Sequence, residues 1–266
     1  METRYITIGY GQLALAALLM GVNLAVSLAL RLGLEQSLAI ASLRMVVQLL
    51  LIGYVLEWLF TQDHPGLILA ISLAMATIAG IAAVNRTKRR FRGIYWNSLL
   101  SVLVASALVT GLAVKGIIRV EPWHNPQYLI PLLGMVLGNT LNGISLGLDR
   151  FMADLTSQRH HIETLLALGA TRWEAAHTQV REAVRIGMIP TINSMMVMGL
   201  VSLPGMMTGQ ILAGASPLDA VRYQIVIVFM IASGAALGTF GVVLLAFRTL
   251  LSANHQLRLD YLQPKN

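Results

Sequence analysis

The sequence lacks several residue types and motifs that soluble enzymes use. It contains no cysteine, which excludes disulfide frameworks, thiolate metal sites and cysteine nucleophiles. Charged residues are only 12% of the 266 residues, about half of the roughly 25% that is typical of soluble domains. No Gly-x-x-x-x-Gly-Lys-Ser/Thr loop occurs, so the chain has no P-loop for ATP phosphates. These absences exclude an ordinary soluble enzyme and a P-loop ATPase.

The sequence is rich in long apolar stretches. Hydrophobic residues make up 56% of the chain, the mean hydropathy is +0.70, and no charged residue occurs between Tyr5 and Leu30. About 20 apolar residues suffice for a helix to cross a bilayer. The sequence therefore predicts an all-α, multi-pass membrane protein in which residues 1–266 form one transmembrane domain. The seven predicted spans are 8–30, 39–60, 66–84, 97–114, 128–148, 188–213 and 221–247.

The loops between these spans differ in basic charge, and this difference predicts the topology. Lys and Arg near span ends are retained on the cytoplasmic side. One set of alternating loops holds 14 of them and the opposite set holds four. We therefore expect the N-terminus outside and the C-terminus inside. The densest basic run, 85–92, is expected to anchor this topology, with an anionic lipid or a partner as the alternative contact.

The one long polar segment, 149–187, joins the fifth and sixth spans. Ile162, Leu165 and Leu166 fall at helical spacing, and Gly169 is a natural stop for that helix. Thr171 and Glu174 then form a capping box that begins a second helix. A DNA-binding helix-turn-helix is disfavoured because both flanks are membrane spans, so no nucleic-acid partner is expected.

The turn between these two helices carries a resemblance to a known element. Residues 163–171, Glu-Thr-Leu-Leu-Ala-Leu-Gly-Ala-Thr, resemble the cytoplasmic coupling element of ABC-transporter permeases. In such permeases the element sits in a cleft of the ATPase. The importer version ends in Ile-x-Leu-Pro soon after the Gly, whereas the next proline here is Pro190, which disfavours an importer. The residues that the resemblance assigns to ATPase coupling are Glu163, Leu166, Gly169, Ala170, Thr171 and Arg172.

Three further stretches are similar to the FetB-like permeases, over a region that runs from about Arg44 to the C-terminus. They are Ile-Pro-Leu-Leu-Gly-Met-Val-Leu-Gly-Asn at 130–139, Leu-Val-Ser-Leu-Pro-Gly-Met-Met-Thr-Gly at 200–209 and Tyr-Gln-Ile-Val-Ile-Val-Phe-Met at 223–230. That family is associated with iron export in bacteria, and related plant proteins with aluminium tolerance. The resemblance implies a homodimeric, non-enzymatic permease subunit in the inner membrane that exports a metal ion or small solute. ATP and Mg would be bound by a separate ATPase subunit.

Polar and helix-breaking residues inside the spans are candidates for a substrate pathway or gate. Pro204 and Gly205 should break the sixth span, and a simple packing kink is the alternative. Met206 and Met207 belong to a methionine cluster that suits either a soft metal ion or gap filling in a core. The other candidates are Arg44 and Gln48, with snorkelling as the alternative for Arg44, and Asn139 and Asn142, with interhelical hydrogen bonds as the alternative.

Other interpretations stay open at this stage. A stand-alone ion-coupled carrier needs no ATPase, but it usually places a titratable group within the membrane. A regulatory or assembly subunit would have no pathway, and the cargo could be another small solute such as a nucleotide sugar. Glycine pairs at four-residue spacing indicate close helix packing, either within the bundle or at a homodimer seam. These pairs are Gly134 and Gly138, Gly143 and Gly147, Gly205 and Gly209, and Gly234 and Gly238.

Overall fold

A computed structural model describes residues 9–62 and 64–264, and most of these residues are helical. They group into two compact units. Among the described residues, the first comprises 9–62 with 212–214, and the second comprises 64–211 with 215–264.

The first unit contains two apolar helices that pack against each other, α1 (Tyr10–Ala29) and α2 (Glu35–Phe60). Side-chain hydrogen bonds close the short connection between them. The Ser27 hydroxyl donates to Glu35 Oε2 at 2.9 Å and accepts from the Leu34 N–H at 3.2 Å. These bonds fix the antiparallel pair at the turn, where helix ends otherwise leave backbone groups unpaired.

The second unit is built around α5 and α9. Its helices are α3 (Pro65–Asn85), α4 (Ile94–Leu112), α5 (Pro126–Ser157), α6 (Arg159–Ala167), α7 (Arg172–Val197), α8 (Gly205–Leu212) and α9 (Pro217–Leu250). A π-helical segment, Ala113–Ile118, extends α4. Two short strands, β1 (Arg89–Arg90) and β2 (Gln263–Pro264), pair antiparallel. Helices α5, α7 and α9 pack on one another, and α3 and α4 pack on the α5 and α9 side.

Glycine allows α5, α7 and α9 to approach at backbone distance. A Cβ added to Gly187 would lie 2.7 Å from the Gly143 carbonyl oxygen and 2.6 Å from Thr239 Cγ2. Both are closer than side-chain carbons pack. A Cβ at Gly234 would likewise lie 2.6 Å from Val136 Cγ1. Close packing within the bundle is therefore confirmed for two of the predicted glycine pairs, 143 with 147 and 234 with 238.

The predicted spans and the observed helices largely coincide. Among the described residues, six helices are long and apolar enough to cross a membrane, namely α1, α2, α3, α4 with its π-helical extension, α5 and α9. The predicted span 188–213 is divided between the end of α7 and the short helix α8. The interruption lies at 198–204, where Pro204 predicts it. The number of crossings and their orientation stay predictions.

Candidate transport cavity and coupling segment

The break after α7 is a closed turn with its own hydrogen bonds. Gly199 adopts φ +84°, a left-handed conformation that suits glycine, and its N–H donates to the Ser202 carbonyl at 2.9 Å. The Val197 carbonyl accepts from Val201 at 2.9 Å. Pro204 has no N–H to offer, so the chain leaves the helix here and restarts at Gly205.

Next to this break lies a cavity of about 220 Å³. Its walls come from α5, from the last turns of α7, from the first turn of α8 and from α9. The lining residues are Met135, Asn139, Thr191, Ser194, Met195, Met198, Pro204, Gly205, Met206, Gln224, Ile227, Val228 and Ile231.

The cavity lining is mainly apolar, and its polar side chains, Asn139, Thr191, Ser194 and Gln224, are uncharged. Gln224 is only 8% exposed, and its Oε1 has no hydrogen-bond partner in the described part of the chain. The Asn139 amide donates to the Met135 carbonyl of its own helix at 2.9 Å. No carboxylate, ammonium, guanidinium or imidazole is among the described lining residues. The described residues also hold no group of three His, Cys, Asp or Glu that could bind a metal.

The structure brings four of the predicted pathway residues to one place. Asn139, Pro204, Gly205 and Met206 all line the cavity. Met207 follows Met206 in α8 but does not belong to this lining.

Asn142 does not line the cavity. Its Oδ1 accepts a hydrogen bond from Nη1 of Arg86, the residue that follows α3. This contact is the interhelical hydrogen bond that was the alternative reading for Asn142. Arg44 and Gln48 lie on α2 in the first unit, and both side chains are exposed.

Sequence reasoning missed part of the lining. Gln224 was not singled out, although an amide among the apolar residues of α9 is the kind of signal that could have found it. Thr191 and Ser194 were missed because single hydroxyls in a helix usually bond to their own backbone. Met135 was missed because a lone methionine in an apolar helix carries no distinguishing signal.

Residues 149–187, which we call the coupling segment, contain the predicted helix, turn and helix. At the end of α6 the Gly169 N–H donates to the Leu166 carbonyl at 3.1 Å, and the Ala170 N–H donates to the Leu165 carbonyl at 3.0 Å. This pair of bonds is a Schellman motif, and it requires the left-handed residue that Gly169 supplies at φ +93°. The prediction that Gly169 stops the first helix is confirmed.

The second helix, α7, begins at the predicted capping box. The Thr171 hydroxyl accepts from the Glu174 N–H at 3.3 Å, and Glu174 Oε2 accepts from the Thr171 N–H at 2.8 Å. Hydrogen bonds from the Thr171 backbone and hydroxyl lower the pKa of the Glu174 carboxyl, and the nearby His255 adds to this effect. The helix start is therefore fixed in position while the turn before it stays at the surface.

One face of α6 is anchored and the other is open. Ile162 is 0% exposed in the core, whereas Leu168 at the turn is 78% exposed. The Gln179 side chain of α7 donates to the Gln158 side chain before α6 at 2.6 Å, which ties the two helices together. The segment therefore presents an exposed turn on a fixed base, which is the form that a docking element needs.

The chain after α9 completes the surface around the coupling segment. The Arg172 N–H donates to His255 Nδ1 at 2.9 Å, and its guanidinium donates to the Leu251 carbonyl at 3.2 Å. A groove of about 580 Å³ lies between Glu163 and Leu166 of α6 and residues 255–261. No signal in residues 255–261 predicted this neighbourhood, because their contacts with α6 are long-range.

The basic run 85–92 lies against α5. The Lys88 N–H donates to Asp149 Oδ1 at 2.8 Å, and Arg89 Nη1 donates to Thr156 Oγ1 at 2.9 Å. Arg89 Nη1 also lies 3.2 Å from the Met152 carbonyl oxygen. The run therefore braces the end of α5 that leads into the coupling segment, whatever its role in topology.

Comparison with known proteins identifies the family. Residues 10–251 match the family described as "Uncharacterised protein family (UPF0014)". The chain belongs to this family.

The UPF0014 relatives include membrane proteins from bacteria and plants. The chain is 39% identical to "UPF0014 membrane protein slr1647" of Synechocystis, over 97% of this chain and 99% of the relative. It is 33% identical to "Probable iron export permease protein FetB" of Escherichia coli, over 95% of this chain and 96% of the relative. It is 35% identical to "Protein ALUMINUM SENSITIVE 3" of Arabidopsis thaliana, over 93% of this chain and 90% of the relative. No solved structure matches the chain.

These matches confirm the family to which the sequence pointed, and with the six apolar helices they show a multi-pass membrane protein. The UPF0014 match begins at residue 10, well before the region around Arg44 where the resemblance was seen to start. It includes the whole coupling segment and every residue of the cavity.

Proposed function

We propose that this UPF0014 chain is the membrane permease subunit of an ABC-type exporter. It moves a metal ion or another small solute across the cytoplasmic membrane as a homodimer. A separate subunit binds ATP and Mg and supplies the energy. The name of the Escherichia coli relative supports the transport class, and the lack of a P-loop in this sequence supports assigning ATP hydrolysis to a partner.

The observation that carries the proposal is the continuity of α7. This helix starts at the capping box of the coupling turn and ends, 26 residues later, beside the cavity. At 1.5 Å per residue it spans about 39 Å, which exceeds the thickness of the hydrocarbon core. Pro190 lies within α7 without interrupting it. A displacement at the turn is therefore delivered to the cavity wall by one element.

The mechanism follows from what is fixed and what is free at each end of α7. At its start, the exposed turn around Leu168 and Gly169 docks into a cleft of the ATPase. When the cleft closes, the turn moves and α7 moves with it. At its other end α7 gives way to the turn 198–204, which can absorb the displacement. The cavity side chains Thr191 and Met195 then shift relative to α5 and α9, which opens or closes the site.

Glycine at the centre of the bundle suits this motion. Gly143 and Gly187 bring the backbones of α5 and α7 close together, and neither residue has a side chain of its own to interlock. A smooth backbone-to-backbone surface allows the small sliding that shear motions use. Thr239 of α9 lies against both glycines at the side of this contact.

The coupling assignment is tested at Gly169. Replacing it with Trp puts a large side chain on the turn, where a Cβ would meet open space, and also strains the φ of +93°. The Gly169→Asn variant is the control, because Asn tolerates this conformation better than other non-glycine residues. We expect Gly169→Trp to lower transport and substrate-stimulated ATPase activity about tenfold or more, and Gly169→Asn to retain most of both. Wild-type rates for Gly169→Trp, at normal protein levels in the membrane, would refute the assignment.

The rival class of stand-alone carrier is separated by reconstitution. No titratable side chain lines the cavity among the described residues, which disfavours a proton relay through it. Purified protein in liposomes, given an ion gradient but no ATPase, should therefore move no metal ion. Gradient-driven uptake in that preparation would replace the exporter proposal with the carrier.

A further inference from the structure

We infer that the cavity beside the α7 break is a binding site for a soft monovalent metal ion, with Cu(I) as the natural type and Ag(I) as its redox-inert probe. This inference rests on the proposed transport function and names the class of cargo. It is carried by three observations: the donor atoms of the lining, a buried amide oxygen with no partner in the described part of the chain, and the lack of charge on the described lining residues.

Half of the side chains in the lining that carry a donor atom are soft. Four methionines, Met135, Met195, Met198 and Met206, contribute to one cavity of about 220 Å³. They come from α5, from the end of α7, from the break and from α8, so they converge from different parts of the chain. Thioether sulfur prefers Cu(I) among biological metals, and it is a poor ligand for hard cations.

Gln224 adds an observation that is independent of the methionines. It is 92% buried, since 8% is exposed, and it lines the same cavity. Its Oε1 is a hydrogen-bond acceptor that has no partner in the described part of the chain. A buried acceptor left without a partner is unfavourable, because it has lost its hydrogen bonds to water. A cation in the cavity would supply the missing partner.

The described lining residues carry no charge, and this favours a monovalent ion over a divalent one. The Born cost of transferring an ion into a low-dielectric site rises with the square of its charge, so a divalent ion costs four times as much as a monovalent one of equal size. Bare Fe(II) would require carboxylate or imidazole ligands here, and none of the described lining residues supplies one. A monovalent ion can be held by polarizable sulfur and amide dipoles.

The size of the cavity agrees with a small cargo. Pockets for drug-sized ligands occupy about 300–1,000 Å³, and this cavity of about 220 Å³ is smaller. A nucleotide sugar would not fit without a large expansion. The amino end of α8 also lies at the cavity and disfavours a cation, but the effect of one helix terminus is small. The carboxyl end of α7 lies at the same cavity and opposes it.

The experiment is a titration of the purified full-length chain in detergent with Ag(I). We expect one tight site per chain, with Ag–S scattering in the X-ray absorption spectrum of the bound protein. The double variant Met195→Leu with Met206→Leu should bind Ag(I) about tenfold or more weakly, because the ligands are lost. Gln224→Leu should also weaken binding. Leu keeps the volume and apolar character of Met, so folding is preserved, as thermal unfolding will verify.

The matched control is Met196→Leu. Met196 is adjacent to Met195 in α7 but is 72% exposed and does not line the cavity. Its variant should bind Ag(I) as the wild type does. Equal loss of Ag(I) binding in this control and in the double variant would overturn the inference, as would a wild-type chain that binds anaerobic Fe(II) more tightly than Ag(I) at the same site.

The titration needs no ATPase, so its result is separate from that of the coupling experiment. Failure of Ag(I) binding with intact ATPase coupling would remove the soft-metal cargo and leave the exporter in place. Ag(I) binding in a chain that never couples to an ATPase would keep the soft-metal site and remove the exporter.

Discussion

At the scale of single residues, the contact between Gly187, Gly143 and Thr239 shows how little space the bundle leaves. The Gly187 Cα faces the Gly143 carbonyl so closely that one added carbon would lie 2.7 Å from it. The opposing atom belongs to the backbone, which cannot rotate away as a side chain can. The close approach of α5 and α7 therefore depends on the absence of two side chains.

We predict that Gly187→Ala destabilises the protein by about 1–3 kcal/mol, because the extra carbon must push α5 and α7 apart. Gly138→Ala is the control on α5, since a Cβ there has no neighbour within 4 Å. It should be neutral or stabilising by up to about 1 kcal/mol. Thermal unfolding of the two variants in one detergent measures the difference. Equal melting temperatures for Gly187→Ala and the wild type would contradict the packing described.

At the scale of elements, α7 differs from the other long helices of the second unit. Its start is polar and carries Arg181 and Arg185 on exposed positions, whereas its end lines the cavity. This composition explains why α7 is not among the helices apolar enough to cross a membrane on their own. The same composition suits a rod that leads from an aqueous docking site to a site within the bundle.

The helical conformation of α7 can be destabilised in its middle without changing residues at either end. Replacing both Arg181 and Arg185 with Gly lowers helix propensity by about 1 kcal/mol per site, and replacing both with Ala removes the same charges but keeps the helix. We expect the glycine pair to lower transport per ATP hydrolysed, while the ATPase still co-purifies because the docking turn is intact. The alanine pair should keep the wild-type ratio. If the glycine pair also keeps that ratio, α7 does not transmit the motion.

At the scale of the whole molecule, the arrangement of basic residues is the main determinant of orientation. The strongest concentrations of Arg and Lys lie in 85–92 and in 149–187, and the first of these braces α5 through Lys88 and Arg89. Because of these contacts, we expect both segments to lie on the same side of the membrane. The positive-inside rule predicts that this side is the cytoplasm, which is where the proposed ATPase would have to bind.

The natural absence of cysteine makes this orientation directly testable. A single thiol introduced by Thr164→Cys on the exposed face of α6 should react with a membrane-impermeant maleimide only after the cells are opened. A thiol introduced by His124→Cys, in the loop before α5, should react in intact cells. Labelling of the α6 thiol from outside would invert the topology and exclude docking of a cytoplasmic ATPase there.

The sequence by itself determined the features that depend on local physics. The length of the apolar stretches predicted the long helices, and Pro204 predicted the break. Gly169 and the Thr171–Glu174 pair predicted the turn and the start of α7. Each follows from backbone chemistry or hydrophobic burial within a few residues.

The tertiary structure alone decided which of these local features meet. It placed Gln224 of α9 with the methionines at the break, it paired Asn142 with Arg86 through a hydrogen bond, and it brought residues 255–261 beside α6. Contacts of this kind join residues far apart in the chain. Their geometry depends on how closely the helices pack, which the glycine contacts among α5, α7 and α9 determine in three dimensions.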